Sequence, residues 1–203
     1  MVSEKKTTLD FDALLLLEKL DLCHHKNKKH REIVKPLPSF SFWNNRSKTK
    51  ILTTMSNKKY DIVLFGVTGF TGKLCVEYIM ENYSDVSWAA CARNQARADQ
   101  ILTTLAKKSG KEKPPLLIAD LLCETPEQEA TLREIVSSTK VCLTCSGPYE
   151  KYGQTLVKLC AEEGVSYGDI TGETDFVRKM IKQYDSKARE TGAVIVSHCG
   201  NDW

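Results

Sequence analysis

No stretch of the 203-residue chain approaches the ~18 consecutive apolar residues that a helical membrane span needs. The densest apolar run before residue 60 is L-L-L-L at 14–17, and Asp12, Glu18 and Asp21 flank it. It lacks the longer apolar core and the small-residue cleavage site of a secretory signal, while Glu4, Asp10 and Asp12 argue against a mitochondrial presequence. These absences point to a cytoplasmic protein with reduced cysteines. Excess charge is also lacking: 29 Lys/Arg against 26 Asp/Glu leave a formal +3, which gives no reason to expect a nucleic-acid partner. The near-balance hides an asymmetry. Residues 1–59 hold 13 Lys/Arg and 6 Asp/Glu, a net +7, and the remainder of the chain is net −4. A basic tail on an acidic body suggests two parts with different roles.

A metal-binding pattern is lacking as well. Of the eight cysteines, only Cys142 and Cys145 stand as C-x-x-C, with no second pair to complete a tetrahedral site. They sit in V-C-L-T-C, which reads as a strand, and an odd separation on a strand sends the two side chains to opposite faces. His24, His25 and His30 beside Cys23 lie in a lysine-rich tract and read as a solvated polar run, so no metal is expected. Finally, none of the seven tyrosines has a lysine four residues later. The Tyr-x-x-x-Lys pair of short-chain dehydrogenases, in which the lysine lowers the tyrosine's pKa, is therefore absent.

What is present begins at residues 60–72, Y-D-I-V-L-F-G-V-T-G-F-T-G. An apolar run breaks into glycines at Gly66, Gly69 and Gly72, and helix-forming sequence follows at once. Strand, glycine turn and helix N-terminus together make a phosphate cradle: no side chains block the turn, and the free N–H groups of the first helical turn face an anion. Upstream, Leu9, Ala13, Leu16, Leu17 and Leu20 recur at helical spacing, and the basic stretch with Pro36 and Pro38 reads as linker. Residues 1–59 are thus expected to be a poorly structured extension with one short helix. Met55 is an ordinary start for the domain that follows, which would make residues 1–54 an appended segment.

From residue 60 to the end, strands and helices alternate. Strands are expected at 61–65, 88–91, 116–119, 141–145, 165–170 and 193–197. Helices are expected at 71–82, 95–108, 126–137, 154–163 and 175–190, the third opened by a capping box of Thr125 and Gln128. Short all-apolar strands between amphipathic helices imply a parallel sheet covered on both faces. Right-handed crossovers then favour an α/β, doubly wound, Rossmann-like sheet of order 3-2-1-4-5-6.

In such a sheet ligands bind beyond the C-terminal strand ends, beside strand one. After that strand stand Gly66, Thr68, Gly69, Phe70, Thr71 and Gly72. After strand two come Arg93 and Asn94, where an NAD site usually places a carboxylate for the ribose 2′-OH. The planar fork of Arg93 suits a 2′-phosphate instead, so NADPH is expected over NADH. Asp120, after strand three, reads either as a contact to the adenine edge or as a surface or capping carboxylate. Ser146, Gly147, Pro148 and Tyr149, with Tyr152 and Gly153 soon after, form a loop across the crevice whose backbone and aromatics suit a wall for the nicotinamide ribose. Asp169 and Glu173 read as strand-end and helix-start caps rather than as a paired-carboxylate catalytic site.

The blocks G-V-T-G-F-T-G, A-R-N, C-S-G-P-Y-E-K-Y-G, Y-G-D-I-T-G-E and S-H-C-G-N-D, in this order, resemble the NADP-binding half of saccharopine dehydrogenase-like oxidoreductases over about residues 60–202. One departure is Ala92, where the family tends to have glycine before the arginine. The family includes saccharopine reductases, which join or split an amino acid and an aldehyde acid by hydride transfer to an imine. It also includes enoyl-reductase-like members of lipid synthesis and animal-type members, and the chain is more similar to these last two. The resemblance implies an NADP dinucleotide as ligand and a further substrate-binding, homodimerising domain after strand six, so that these 203 residues are expected to be a truncated form. It also implies a lipid-linked substrate or an association with a lipid or membrane surface. No catalytic acid or base is assigned. The alternative is a nucleotide-binding or interaction protein without catalysis, and turnover of NADPH with an imine or enoyl substrate separates the two.

Overall fold

The computed structural model describes residues 58–199, and the expected N-terminal helix, linker and Met55 start lie outside them. Six strands alternate with helices. They are β1 (Tyr60–Phe65), β2 (Trp88–Ala92), β3 (Leu116–Ile118), β4 (Thr139–Thr144), β5 (Ser166–Asp169) and β6 (Ile195–Val196). All neighbours pair in parallel, in the order β3-β2-β1-β4-β5-β6 expected from the sequence. The helices are α1 (Phe70–Asn82), α2 (Gln95–Ser109), α3 (Pro126–Ser137), α4 (Tyr149–Tyr152), α5 (Gln154–Glu163) and α6 (Thr174–Thr191). None of the described helices is long and apolar enough to cross a membrane.

The sheet divides the core in two because alternate strand residues point to opposite faces. Ile62 and Leu64 pack with Cys75, Val76 and Ile79 of α1 and with Ala98 and Leu102 of α2. Val63 and Phe65 pack on the other face with Leu132 and Ile135 of α3, Leu156 and Leu159 of α5, and Phe176 of α6. The same rule separates the C-x-x-C pair: Cys142 lies in the second cluster, whereas Cys145 packs against the first. Strand β2, W-A-A-C-A, carries small side chains on both faces, all of Ala89, Ala90, Cys91 and Ala92 being buried.

Helix boundaries follow local chemistry. Thr125 Oγ1 accepts from the Gln128 amide at 3.4 Å while Gln128 Oε1 accepts from the Thr125 amide at 3.3 Å, closing the expected capping box. Helix α2 is capped by Asn94, whose Oδ1 accepts from the Arg97 amide at 2.9 Å. Arg133 binds Glu129, Glu162 and Glu163, and Lys158 also binds Glu129, so a charge network ties α3 to α5.

Two features differ from the sequence expectation. The last strands are shorter: only Tyr167 and Gly168 pair with Ile195 and Val196, so the apolar run outlasts the paired backbone at this edge. The one-turn helix α4 was expected as loop. It exists because the Glu173 carboxylate, 24 residues away, accepts from the amide of Tyr149 at 2.6 Å, and also from that of Glu150 at 2.9 Å. No local pattern encodes that contact.

Helix α5 starts against α6 at Gly153. A Cβ added there would lie 2.7 Å from Phe176 Cζ and 2.9 Å from the Tyr149 carbonyl oxygen. Gly153→Ala should therefore overpack this junction and lower unfolding free energy by about 1–3 kcal/mol in urea titration. A midpoint equal to the parent's would show that α6 yields freely.

Candidate functional site

The C-terminal ends of β1, β2, β3 and β4 open into one cleft of about 400 Å³. Its floor is the glycine turn. Gly66 has φ +83°, a left-handed conformation that a side chain resists, and its carbonyl accepts from the Gly69 amide at 3.0 Å. Helix α1 then packs directly on that turn: a Cβ at Gly72 would lie 2.0 Å from the Gly66 carbonyl oxygen. Helix α1 has no side-chain cap at its N-cap Gly69 and no acidic residue in its first turn. Its N-terminal amides and positive dipole end are therefore available to an anion.

One wall comes from the ends of β2 and β3. Arg93 is 65% exposed and its Nη1 lies 4.0 Å from Asp120 Oδ2, a loose pair across the mouth. Asp120 uses its other oxygen to accept from the Leu122 amide at 3.1 Å. Arg97, in the first turn of α2, lines the same end of the cleft with Leu121. The opposite wall is Cys145, Ser146, Gly147 and Tyr152. Ser146 stands close to the turn, since a Cβ at Gly66 would come within 2.6 Å of its Oγ. Burial pushes the thiol of Cys91, at the back of the cleft, up to about 12.

A buried polar cluster fixes the second wall from below. Asp169, at the end of β5, is 1% exposed. Its carboxylate accepts from Tyr167 Oη at 2.7 Å, the Thr171 amide at 3.0 Å, Ser197 Oγ at 3.2 Å and the His198 amide at 3.1 Å. Burial and the Asp169 charge hold the Tyr167 phenol well above its usual range. The His198 Nδ1 lies 2.6 Å from the Thr171 carbonyl oxygen, and since that oxygen only accepts, Nδ1 carries the proton. Thr171 Oγ1 accepts from the Glu173 amide at 2.9 Å, which sets the Glu173 carboxylate under α4.

Of the residues singled out in the sequence, Gly66, Thr68, Gly69, Arg93, Asn94, Asp120, Ser146 and Gly147 line the cleft. Gly72 lies beneath the turn as its packing contact, and Phe70, at the start of α1, is 81% exposed. Thr71 is half-buried beside it and Pro148 is exposed as the N-cap of α4. Asn94 faces the cleft but spends its Oδ1 on capping α2. Tyr149 turns into the core, with its hydroxyl donating to the Thr144 carbonyl at 3.1 Å and its ring 6.1 Å from that of Phe176. Burial raises its pKa. The aromatic wall is Tyr152 instead. Asp169 is the expected strand-end cap, accepting from the Thr171 amide, and in addition ties β5 to the segment after β6, whereas Glu173 caps α4 rather than its own helix. Two further cleft residues lie outside the expected set: Arg97, in the first turn of α2, and Cys145, which reads in the sequence as a strand residue.

A Rossmann-like sheet with a glycine turn, an uncapped helix N-terminus and two arginines at one end of the cleft defines a dinucleotide-binding domain. The model of the saccharopine dehydrogenase NADP binding domain matches residues 62–196, and the chain belongs to this family. A lipid droplet localized protein of Caenorhabditis elegans is 34% identical over 148 residues, 71% of this chain and 34% of that protein. The trans-acting enoyl reductase of Mycobacterium bovis (strain BCG / Pasteur 1173P2) is 37% identical over 147 residues, 72% of this chain and 34% of that protein. The chain thus spans about a third of the length of the curated relatives it matches. Among solved structures, the saccharopine dehydrogenase (L-Glu forming) of Saccharomyces cerevisiae superposes with a TM-score of 0.51 at 16% identity, over 68% of this chain and 27% of that one, a likeness of fold.

NADP is the cofactor of this domain, and the residues present fit it. Backbone rather than side chains forms the floor where a pyrophosphate needs close approach, and the residue after β2 is Arg93 rather than a carboxylate that would repel a 2′-phosphate.

The Asp169 cluster carries its own test. Asp169→Ala removes the acceptor of four donors and should cost about 3 kcal/mol or more in chemical denaturation, whereas Asp169→Asn, which keeps one acceptor oxygen, should cost less. Equal and small losses in both would mean that the donors find other partners.

Proposed function

We propose that the chain holds NADPH in this cleft and presents it for hydride transfer. The pyrophosphate lies on the glycine turn and the first turn of α1, the 2′-phosphate meets Arg93 and Arg97, and the nicotinamide end faces Ser146, Gly147 and Tyr152. The observation that carries this reading is that the uncapped N-terminus of α1 and both arginines open onto one cleft. When bound, the cofactor supplies a hydride. The protein's own residues do the rest. Gly66, Gly69 and Gly72 keep the floor free of side chains, and Thr68 borders it. Asp120 restrains the Arg93 fork, which a dianionic phosphate then takes over as the stronger partner. Glu173 holds the Ser146–Gly147 wall by anchoring α4.

For the whole protein, the reading is reduction of a carbon–carbon double bond on a lipid-like acyl substrate, at or near a lipid surface. It is supported by the relationship to the mycobacterial trans-acting enoyl reductase and to the lipid droplet localized protein. The family resemblance further supports assembly as a homodimer through a region beyond this domain, with the basic residues 1–59 as a separate extension. A second reading, dinucleotide binding without catalysis in this chain, is favoured by the side-chain contacts: the Tyr149 hydroxyl, the Tyr167 hydroxyl and the Asp169 carboxylate are all engaged in structural hydrogen bonds. Consumption of NADPH with an enoyl thioester separates the two.

Arg93→Ala should weaken NADPH binding by about 10–100-fold, the worth of one charge-assisted contact, and leave NADH binding nearly unchanged in nicotinamide fluorescence titrations. An unchanged ratio of the two affinities would remove Arg93 from the 2′-phosphate site.

A further inference from the structure

We propose that Cys75 and Cys145 form a thiol-oxidation site that closes to a disulfide and that a dinucleotide in the cleft shields. The inference rests on the placement of NADPH given above. All seven described cysteines are free thiols, and these two share a hydrogen bond with their sulfurs 3.6 Å apart. They come from positions 70 residues apart in the chain, Cys75 in the second turn of α1 and Cys145 just past β4. The pair therefore joins α1, which follows the glycine floor, to the wall after β4. Cys145 lines the cleft itself. A second, small pocket of about 30 Å³ is lined by both cysteines together with Leu64, Ile79, Asp169 and Cys199. Cys75 is buried, so an oxidant arriving from solvent meets Cys145 first. A disulfide needs its sulfurs at about 2.05 Å, so from 3.6 Å they must approach by roughly 1.5 Å.

With a hydroperoxide as oxidant the atoms balance. The Cys145 sulfur attacks one peroxide oxygen, the O–O bond breaks, and the leaving oxygen departs as water with the thiol's proton, giving a sulfenic acid. The Cys75 sulfur then attacks the Cys145 sulfur. An S–S bond forms, the S–O bond breaks, and the hydroxyl leaves as a second water with the proton of Cys75. Two thiols lose two electrons in total, and hydrogen peroxide is reduced to two waters. The contact between the two sulfurs lowers the Cys75 pKa and raises that of Cys145, so Cys75 carries the thiolate character that resolves the sulfenic acid. The crosslink then bolts α1 to the end of β4, across the floor on which the pyrophosphate lies.

The test treats the full reduced chain with hydrogen peroxide, with and without NADPH, followed by alkylation and peptide mass mapping. NADPH binding to the untreated protein is measured separately by fluorescence. The expected result is a Cys75–Cys145 disulfide peptide whose formation slows about elevenfold at an NADPH concentration ten times its Kd, since only the free form reacts. Cys75→Ser and Cys145→Ser should each abolish that peptide, and Cys199→Ser should retain it. Absence of the peptide, or an equal rate with the cleft saturated, overturns the proposal while the cofactor site stands. Failure of the untreated protein to bind NADPH overturns the cofactor site, and the shielding with it.

Discussion

The contact on which the rest depends is between two stretches of backbone. Helix α1 approaches the Gly66 carbonyl so closely that a Cβ at Gly72 would lie 2.0 Å from that oxygen. This approach sets the axis of α1 relative to β1, and with it the direction in which the uncapped amides of Phe70 and its neighbours point. It also lets Ile79 and Val76 reach Ile62 and Leu64 across the sheet face. A larger residue at position 72 would move the helix, and with the helix the anion site. Packing of one core and aim of one site are thus a single constraint, which is why two glycines six residues apart carry both.

The second wall is held by different physics. Ser146 and Gly147 have no regular structure of their own, and their position is fixed by charge buried beneath them. Asp169 gathers four donors from β5, the following turn and the segment after β6, and Thr171 and Glu173 pass that order on to α4. A buried carboxylate with a full set of donors is costly to leave partly satisfied, so the arrangement specifies one geometry rather than a range. The binding cleft therefore combines a floor fixed by glycine packing with a wall fixed by a polar network.

The sheet order was legible because each piece of it is local. The run at 62–65, the small residues of β2 and the four-residue spacing of Phe176, Met180 and Tyr184 each declare an element, and right-handed crossovers then order the strands. The glycine turn and Arg93 were legible for the same reason, since strand ends carry the site in this architecture. What escaped were interactions across distance. Glu173 capping a helix 24 residues earlier, Asp169 as a buried tie and Tyr149 facing the core while Tyr152 faces the cleft all depend on which side of a turn the chain leaves. Spacing alone gave Cys142 and Cys145 opposite faces, which they have, but the partnership of Cys145 with Cys75 requires the folded sheet.

The central claim is that one dinucleotide spans from the arginines, over the glycine turn, to the Ser146 loop. Amide chemical-shift mapping of the isotopically labelled chain during NADPH titration tests it most directly. Shifts should concentrate at Gly66 to Gly72, at Arg93 to Arg97 and at Ser146 and Gly147, with the helix faces of α3 and α5 unmoved. Shifts that cluster away from these three segments, or a spectrum that NADPH leaves unchanged, would contradict it.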